Sequence, residues 1–165
     1  MGKILIISAT NDNNLVLSKE LKLILSKIQI SVDVISLEDL KLPLFSSEAS
    51  LEVGQLDKLL SNLEQCNGII ICSPEYNGGV PPVLSNAITW VTVKSNNWRD
   101  AFNGKFALIA TYSGGEGSRL INSLRGQLEY MGTNVLARTI SVNKNKPLDP
   151  DSAKRILQGL VDIIS

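Results

Sequence analysis

Residues 68–91 read GIIICSPEYNGGVPPVLSNAITWV. An apolar run from Gly68 to Cys72 stops abruptly on a tip made of a proline, a carboxylate, an aromatic ring, an amide and two glycines. Such a continuous run marks a strand buried on both faces. Beyond the tip, Val83, Leu84, Ala87, Ile88 and Val91 share one helical face. Pro81 or Pro82 suits the first helical turn, where a missing N–H costs nothing. The stretch therefore reads as strand, polar loop, helix, which is the repeating unit of a parallel sheet.

The same alternation extends in both directions. Ile4–Ile7 is a second continuous apolar run, and Leu17, Leu21, Ile24, Leu25 and Ile28 give helical spacing over residues 13–28. Val32–Ile35 predicts a short strand. Residues 37–50, with Pro43 and several serines, read mostly as loop, and residues 51–66 as a second helix. After the helix at 82–93 comes a polar connection, 95–104. A strand at 105–111, a helix at 117–131, a strand at 135–141 and a last helix at 152–164 follow. Five strands alternating with helices predict an α/β fold, a flavodoxin-like three-layer sandwich whose parallel sheet has order 2-1-3-4-5 with helices on both faces. The chain is short for a six-stranded dinucleotide fold, and residues 1–165 are expected to form a single domain. A domain of this size buries roughly 70% of its unfolded surface, enough to hold a core without metals or disulfides.

Composition narrows the chemistry. Sixteen basic and sixteen acidic side chains cancel, so no general charge excess points to nucleic acid or an anionic membrane. The sequence contains no histidine, which excludes a Ser-His-Asp triad, a Cys-His dyad and any histidine metal site. Cys66 and Cys72 lack metal-ligand spacing and read as small buried hydrophobes in a reducing compartment. No secretory signal and no membrane-spanning run is evident, and a cytoplasmic protein is expected. A catalyst of this composition borrows reactivity from a cofactor or uses carboxylates, hydroxyls or lysines.

In open α/β sheets ligands sit beyond the carboxyl ends of the strands, where the strand order reverses. For order 2-1-3-4-5 that crevice lies between strands 1 and 3, lined by the loops at 8–14, 74–79 and 112–117. The first loop, SATNDNN, leads into a helix N-terminus that favours a phosphate, with Ser8, Thr10, Asn11, Asn13 and Asn14 as neutral partners. Alternatively, Asp12, Asn13 or Asn14 is simply a helix N-cap. In the third loop Tyr76 offers a ring face, Asn77 an amide, and Gly78 and Gly79 close backbone approach. Glu75 is either a base or a solvent-exposed carboxylate. The fourth loop, TYSGGEGSR, admits a flat or anionic ligand against its backbone, or is an ordinary strand-to-helix turn.

The stretch SPEYNGGVPPVLSNAITWV resembles the signature S-P-E-Y-N-x-x-x-P-G-x-L-K-N-A-I-D-W of the NADPH-dependent FMN reductase family. NNWRDAFNGKFALIATYSGGEGSRLINSLRGQLEYMGTNVL resembles the later half of those proteins, where W-R-x-x-x-x-G-K leads into a strand and a Gly-rich loop. The resemblance implies a flavodoxin-like fold with non-covalent FMN and NADPH or NADH as co-substrate. It also implies a small-molecule electron acceptor such as a flavin, quinone or azo dye, and a homodimer or homotetramer. It places Pro74, Glu75, Tyr76, Asn77 and Gly78 along the isoalloxazine ring, with Ser113, Gly114 and Gly115 at its other edge. Ser8, Thr10 and the turn from Asn11 through Asn13 and Asn14 to Leu15 would hold the phosphate and ribityl chain. No indispensable acid–base side chain is implied.

This chain departs from the family where the first loop usually reads G-S-x-R-x-x-S. Here the loop is shorter and lacks arginine, and Asp12 opposes a phosphate unless its carboxylate points away. Pro82, Ser85 and Thr89 replace the usual glycine, lysine and aspartate. The rival expectation is a flavin-binding electron carrier or redox sensor without efficient NAD(P)H turnover. Trp90 and Trp98 are either core residues or part of a subunit interface, and the resemblance favours the interface.

Overall fold

In a computed structural model that describes residues 2–165, the apolar runs become a parallel sheet. The strands are β1 (Lys3–Ser8), β2 (Ser31–Ser36), β3 (Gly68–Cys72), β4 (Phe106–Tyr112), β5 (Asn134–Val135) and β6 (Ile140–Val142). The helices are α1 (Asn13–Ser26), α2 (Asp57–Gln65), α3 (Pro82–Lys94), α4 (Ser118–Tyr130) and α5 (Pro150–Ile164). The sheet order is β2-β1-β3-β4-β5, with β6 also paired to β4.

Side chains alternate across a strand, and here both sides of the sheet are covered. Leu5, Ile7, Ile69, Ile71, Ala107 and Ile109 face the apolar stripes of α2, α3 and α4, including Leu63, Leu84 and Leu124. Their neighbours Ile4, Ile6, Ile70, Cys72, Leu108 and Ala110 face α1 and α5 through Leu17, Leu21, Leu157 and Leu160. This is why β1 and β3 read as unbroken apolar runs. Each fully buried Leu or Ile contributes about 1.5–3 kcal/mol.

The structure revises several expectations. The strand expected over 135–141 is broken. Val135 pairs with Ala107 and Ile140 with Ala110, so five steps on one side oppose three on the other. The two surplus residues leave the ladder, and Arg125 of α4 secures the departure by donating to the carbonyls of Val135 (3.2 Å) and Leu136 (2.8 Å). The second helix starts at Asp57 rather than at residue 51, because Gly54 adopts φ +79° and breaks helical continuity. Within the 37–50 loop, Glu38–Leu40 forms a single 3-10 turn closed by Lys41 in the left-handed region. The polar connection 95–104 carries two buried residues, Ala101 and Phe102.

Trp90 is core, not interface. It is 1% exposed, packs edge-on against Phe45 with ring centroids 5.0 Å apart, and donates its indole N–H to the Pro43 carbonyl at 2.7 Å. Trp98, by contrast, is exposed beside Arg99 and Tyr130.

Candidate functional site

The carboxyl ends of β1, β3 and β4 deliver the three loops to one end of the sheet. The strand ladder continues into them. The Ala9 N–H donates to the Cys72 carbonyl (2.9 Å), Ser73 N–H to Ala110 (3.1 Å) and Ser113 N–H to Val142 (3.1 Å). The loops therefore leave the sheet already in register.

In the loop after β3, Tyr76 and Gly79 exchange backbone hydrogen bonds at 3.2 and 3.0 Å. Asn77 (φ 51°) and Gly78 (φ 71°) sit between them, both in the left-handed region. That is the geometry of a tight type I′ turn, for which Asn-Gly is the favoured pair. The stem of Arg119 packs over Gly78, so a Cβ there would lie 3.1 Å from its Cδ. The turn leaves the ring of Tyr76 and the amide of Asn77 exposed at its tip, while Pro74 beneath is buried.

Glu75 turns inward. Its carboxylate accepts the N–H groups of Arg119 (3.0 Å) and Leu120 (3.1 Å). Helix α4 starts after Gly117, which has no side chain to cap it, so this carboxylate serves as a cap from another loop and complements the helix dipole. The Glu75 N–H donates to the Ser113 hydroxyl at 2.8 Å, and that hydroxyl shares a 2.7 Å hydrogen bond with Thr111. The third and fourth loops are thus stitched together.

The fourth loop contains three glycines of different kinds. Gly117 has φ +67°, and a Cβ there would meet Thr111 at 2.8 Å, so the fold itself demands glycine. Gly114 and Gly115 lie outside the left-handed region, and a Cβ on either would meet nothing within 4 Å. The protein alone gives no reason for glycine at these two exposed positions.

In the first loop most polar side chains are committed to the scaffold. The Ser8 hydroxyl donates to the Thr10 carbonyl (2.7 Å), and the Thr10 hydroxyl to Asp12 (2.6 Å). Asp12 caps α1 by accepting the Asn14 N–H at 3.3 Å, and Leu15 N–H donates to its carbonyl. The Asn14 amide pairs with both backbone groups of Tyr112, at 3.0 and 2.9 Å. Asn13 is exposed. Asn11 is held from the end of β2: its N–H donates to Glu38 (2.6 Å), its side-chain amide donates to Asp39 (2.7 Å), and it accepts the Ser36 hydroxyl.

Glu38 and Asp39 belong to this site and were not singled out from the sequence. Their signal lay in the topology: β2 neighbours β1, so the turn after β2 must abut the loop after β1.

Among the described residues no buried side-chain nitrogen or oxygen lacks a partner, and no group of acidic or thiol side chains is arranged to hold a metal. Burial pushes the Cys72 thiol up to about 12, so the cysteine at the end of β3 supplies no thiolate. The end of the sheet is thus an open shelf of backbone N–H groups, glycines and one exposed aromatic ring. A surface hollow of about 240 Å³ lies against β6 and α5 instead, lined by Ser141, Lys146, Asp149 and Ile156 among others.

Comparison with known proteins shows the fold and the family. The chain is 32% identical over 129 residues to a quinone reductase of Escherichia coli strain K12, a match covering 73% of this chain and 66% of that protein. It therefore spans about two thirds of that relative's length. Two solved structures share the fold. FerB, a flavoenzyme NAD(P)H:(acceptor) oxidoreductase from Paracoccus denitrificans, aligns with TM-score 0.74 and 19% identity over 99% of this chain and 95% of its own. The apo form of the NADH:FMN oxidoreductase EmoB aligns with TM-score 0.79 and 17% identity over 100% and 91%. A family model described as NADPH-dependent FMN reductase matches residues 2–146, a span that takes in all three crevice loops. By that match the chain belongs to the NADPH-dependent FMN reductase family.

Proposed function

We propose that this protein is an FMN-dependent NAD(P)H oxidoreductase that passes reducing equivalents from NADPH or NADH to a quinone, flavin or similar small acceptor. The observation that carries this reading is the pair Gly114 and Gly115. Nothing in the fold fills the space a Cβ would take there, and a flat ring lying against that backbone accounts for its absence. FMN, when bound, supplies the hydride-accepting and electron-donating chemistry.

The chain's own residues position and polarise. Tyr76, Asn77 and Gly78 on one side, with Gly114 and Gly115 on the other, form the ring site, and Pro74 supports the turn from below. Backbone N–H groups of these loops are suited to offset negative charge at the ring edge. Thr10, Asp12 and Asn13 have backbone N–H groups without a hydrogen-bond partner among the described residues, and they are the donors for a phosphate at the start of α1. Ser8, Asn14, Leu15 and Ser113 shape these loops rather than reach outward. Glu75 acts as a cap, and no side chain at the site is assigned an acid–base role.

The reading extends to assembly and location. No helix among the described residues is long and apolar enough to cross a membrane. Two buried free thiols suit a reducing cytoplasm. The exposed group of Trp98 (42%), Arg99 and Tyr130 (72%) supports a homodimer or homotetramer. Light scattering of the wild type and Trp98→Ala tests this, and a wild-type monomer at micromolar concentration would remove it.

One observation favours a second reading, a flavin-holding electron carrier or redox sensor without efficient turnover: the first loop carries Asp12 and no cation, and its Asn11 is held by the carboxylates of Glu38 and Asp39. An absorption titration with FMN followed by anaerobic NADH and NADPH separates the two. Prompt bleaching of the flavin band and its return on adding a quinone support the reductase. Bound flavin that stays oxidised supports the carrier, and absence of binding removes both.

A further inference from the structure

The first loop is already answered by an acid of its own chain. A phosphate at the β1/β3 switch point meets the backbone N–H groups between the end of β1 and the first turn of α1. One of these, the Asn11 N–H, is occupied by the Glu38 carboxylate at 2.6 Å. Asp39 holds the Asn11 side chain at 2.7 Å, and the Asp12 carboxylate sits at the α1 N-terminus as its cap. Ion pairs among the described residues join Lys3 to Asp33, Arg125 to Glu129 and Lys146 to Glu116. None of them involves Asp12, Glu38 or Asp39.

The placement of Glu38 is fixed by its backbone. It opens a 3-10 turn whose last carbonyls, of Leu40 and Lys41, accept the Gln55 amide at 3.0 and 2.9 Å. The side chain itself is exposed, so it can leave the Asn11 N–H when a stronger anion arrives. It then still opposes that anion with a full charge.

We propose that Glu38 is an internal competitor for the flavin phosphate and sets the preference of the site between flavins with and without that group. This rests on the flavin reading above. The ring site is untouched by Glu38, so riboflavin binding is indifferent to it. FMN must displace the carboxylate and remain beside it, so the phosphate adds little affinity.

The test is flavin binding, measured by quenching of flavin fluorescence for FMN and riboflavin separately, in wild type, Glu38→Gln and Glu38→Ala. Glutamine keeps an acceptor for the Asn11 N–H and removes the charge, whereas alanine frees the N–H as well. Wild-type Kd values for the two flavins are expected within about tenfold of each other. Glu38→Gln should tighten FMN by about tenfold and Glu38→Ala by at least as much, with riboflavin moving less than about twofold. The wild type alone gives a second readout. Added salt screens the opposing charges, so FMN should tighten relative to riboflavin, whereas an attractive phosphate site would weaken.

An FMN-to-riboflavin ratio that moves less than about threefold in both variants overturns the proposal while leaving the flavin reading intact. So does FMN binding that is far tighter than riboflavin and weakens with salt. Failure of all three proteins to bind either flavin removes the flavin reading and this inference with it.

Discussion

Glu75 ties the loop after β3 to Arg119 at the start of α4: the carboxylate of the first accepts the backbone N–H of the second at 3.0 Å, and that of Leu120 at 3.1 Å. A loop residue 44 positions earlier in the chain thus caps a helix whose own N-cap position is a glycine. Stability and chemistry can be separated at this residue. Glu75→Ala should cost about 1–2 kcal/mol, lowering Tm by about 3–6 °C, and Glu75→Gln should cost less. Turnover of NADPH with saturating FMN should stay within about threefold for Glu75→Gln, since loss of a general base costs about 100-fold or more. A hundredfold loss at unchanged Tm would make Glu75 a base and overturn its assignment as a cap.

Asn14 is the corresponding tie between the first and fourth loops. Its amide satisfies both the N–H and the carbonyl of Tyr112, and the residue is 1% exposed. Asn14→Ala leaves two partly buried backbone groups without partners, at about 2–4 kcal/mol in total. Urea unfolding should show that loss as a lower midpoint at unchanged slope. Asn14→Asp keeps the acceptor for the Tyr112 N–H but sets a carboxylate against the Tyr112 carbonyl, so it should not restore stability. If both variants unfold at the wild-type midpoint, the bridge carries no stability.

What could be read from the chain follows the range over which each feature is determined. The continuous runs at 4–7 and 69–71 announce two-sided burial because neighbouring residues face opposite helix layers. Asn77-Gly78 announces its turn because both positions need positive φ. The break between β5 and β6 depends on Arg125, ten residues upstream of Val135, and no local pattern encodes it. The sequence around Trp90 leaves core and interface equally open because its N–H partner, the Pro43 carbonyl, lies 47 residues away. At the site, the loops at residues 8, 74 and 112 follow from strand order alone. The inward turn of Glu75 and the arrival of Glu38 depend on side-chain pairings that spacing does not report.

Gly114 and Gly115 give the sharpest separation between fold and ligand. Alanine at either position meets nothing within 4 Å and needs no left-handed φ. Unfolding free energy should therefore change by less than about 0.5 kcal/mol, or rise slightly as the unfolded chain loses freedom. Binding should respond differently, because a methyl group lifts a flat ring off the backbone. Each variant should weaken FMN and riboflavin alike by about tenfold or more. Unchanged binding of both flavins in both variants would show that the ring lies elsewhere.

Cys72 predicts a pH dependence. An exposed thiol titrates near 9.0, whereas burial pushes this one up to about 12. Below pH 9 the thiol is protonated in folded and unfolded chains alike, and its contribution is fully present. As pH rises from 9 towards 12 the unfolded chain ionises while the folded one cannot, so stability drains towards the unfolded state. At pH 10.5 the loss attributable to Cys72 is on the order of 2 kcal/mol. Cys66, also raised chiefly by burial, acts in the same direction. Cys72→Ala removes the Cys72 contribution but leaves Cys66 in place, so the comparison isolates one thiol. At pH 8 the variant should be the less stable protein by about 1 kcal/mol of lost packing. The gap should close or reverse by pH 10.5 in urea unfolding. A gap that stays constant between the two pH values would mean that the thiol is not shielded in the folded chain, and in that case an aromatic disulfide reagent should label native Cys72 at pH 8 without waiting for unfolding.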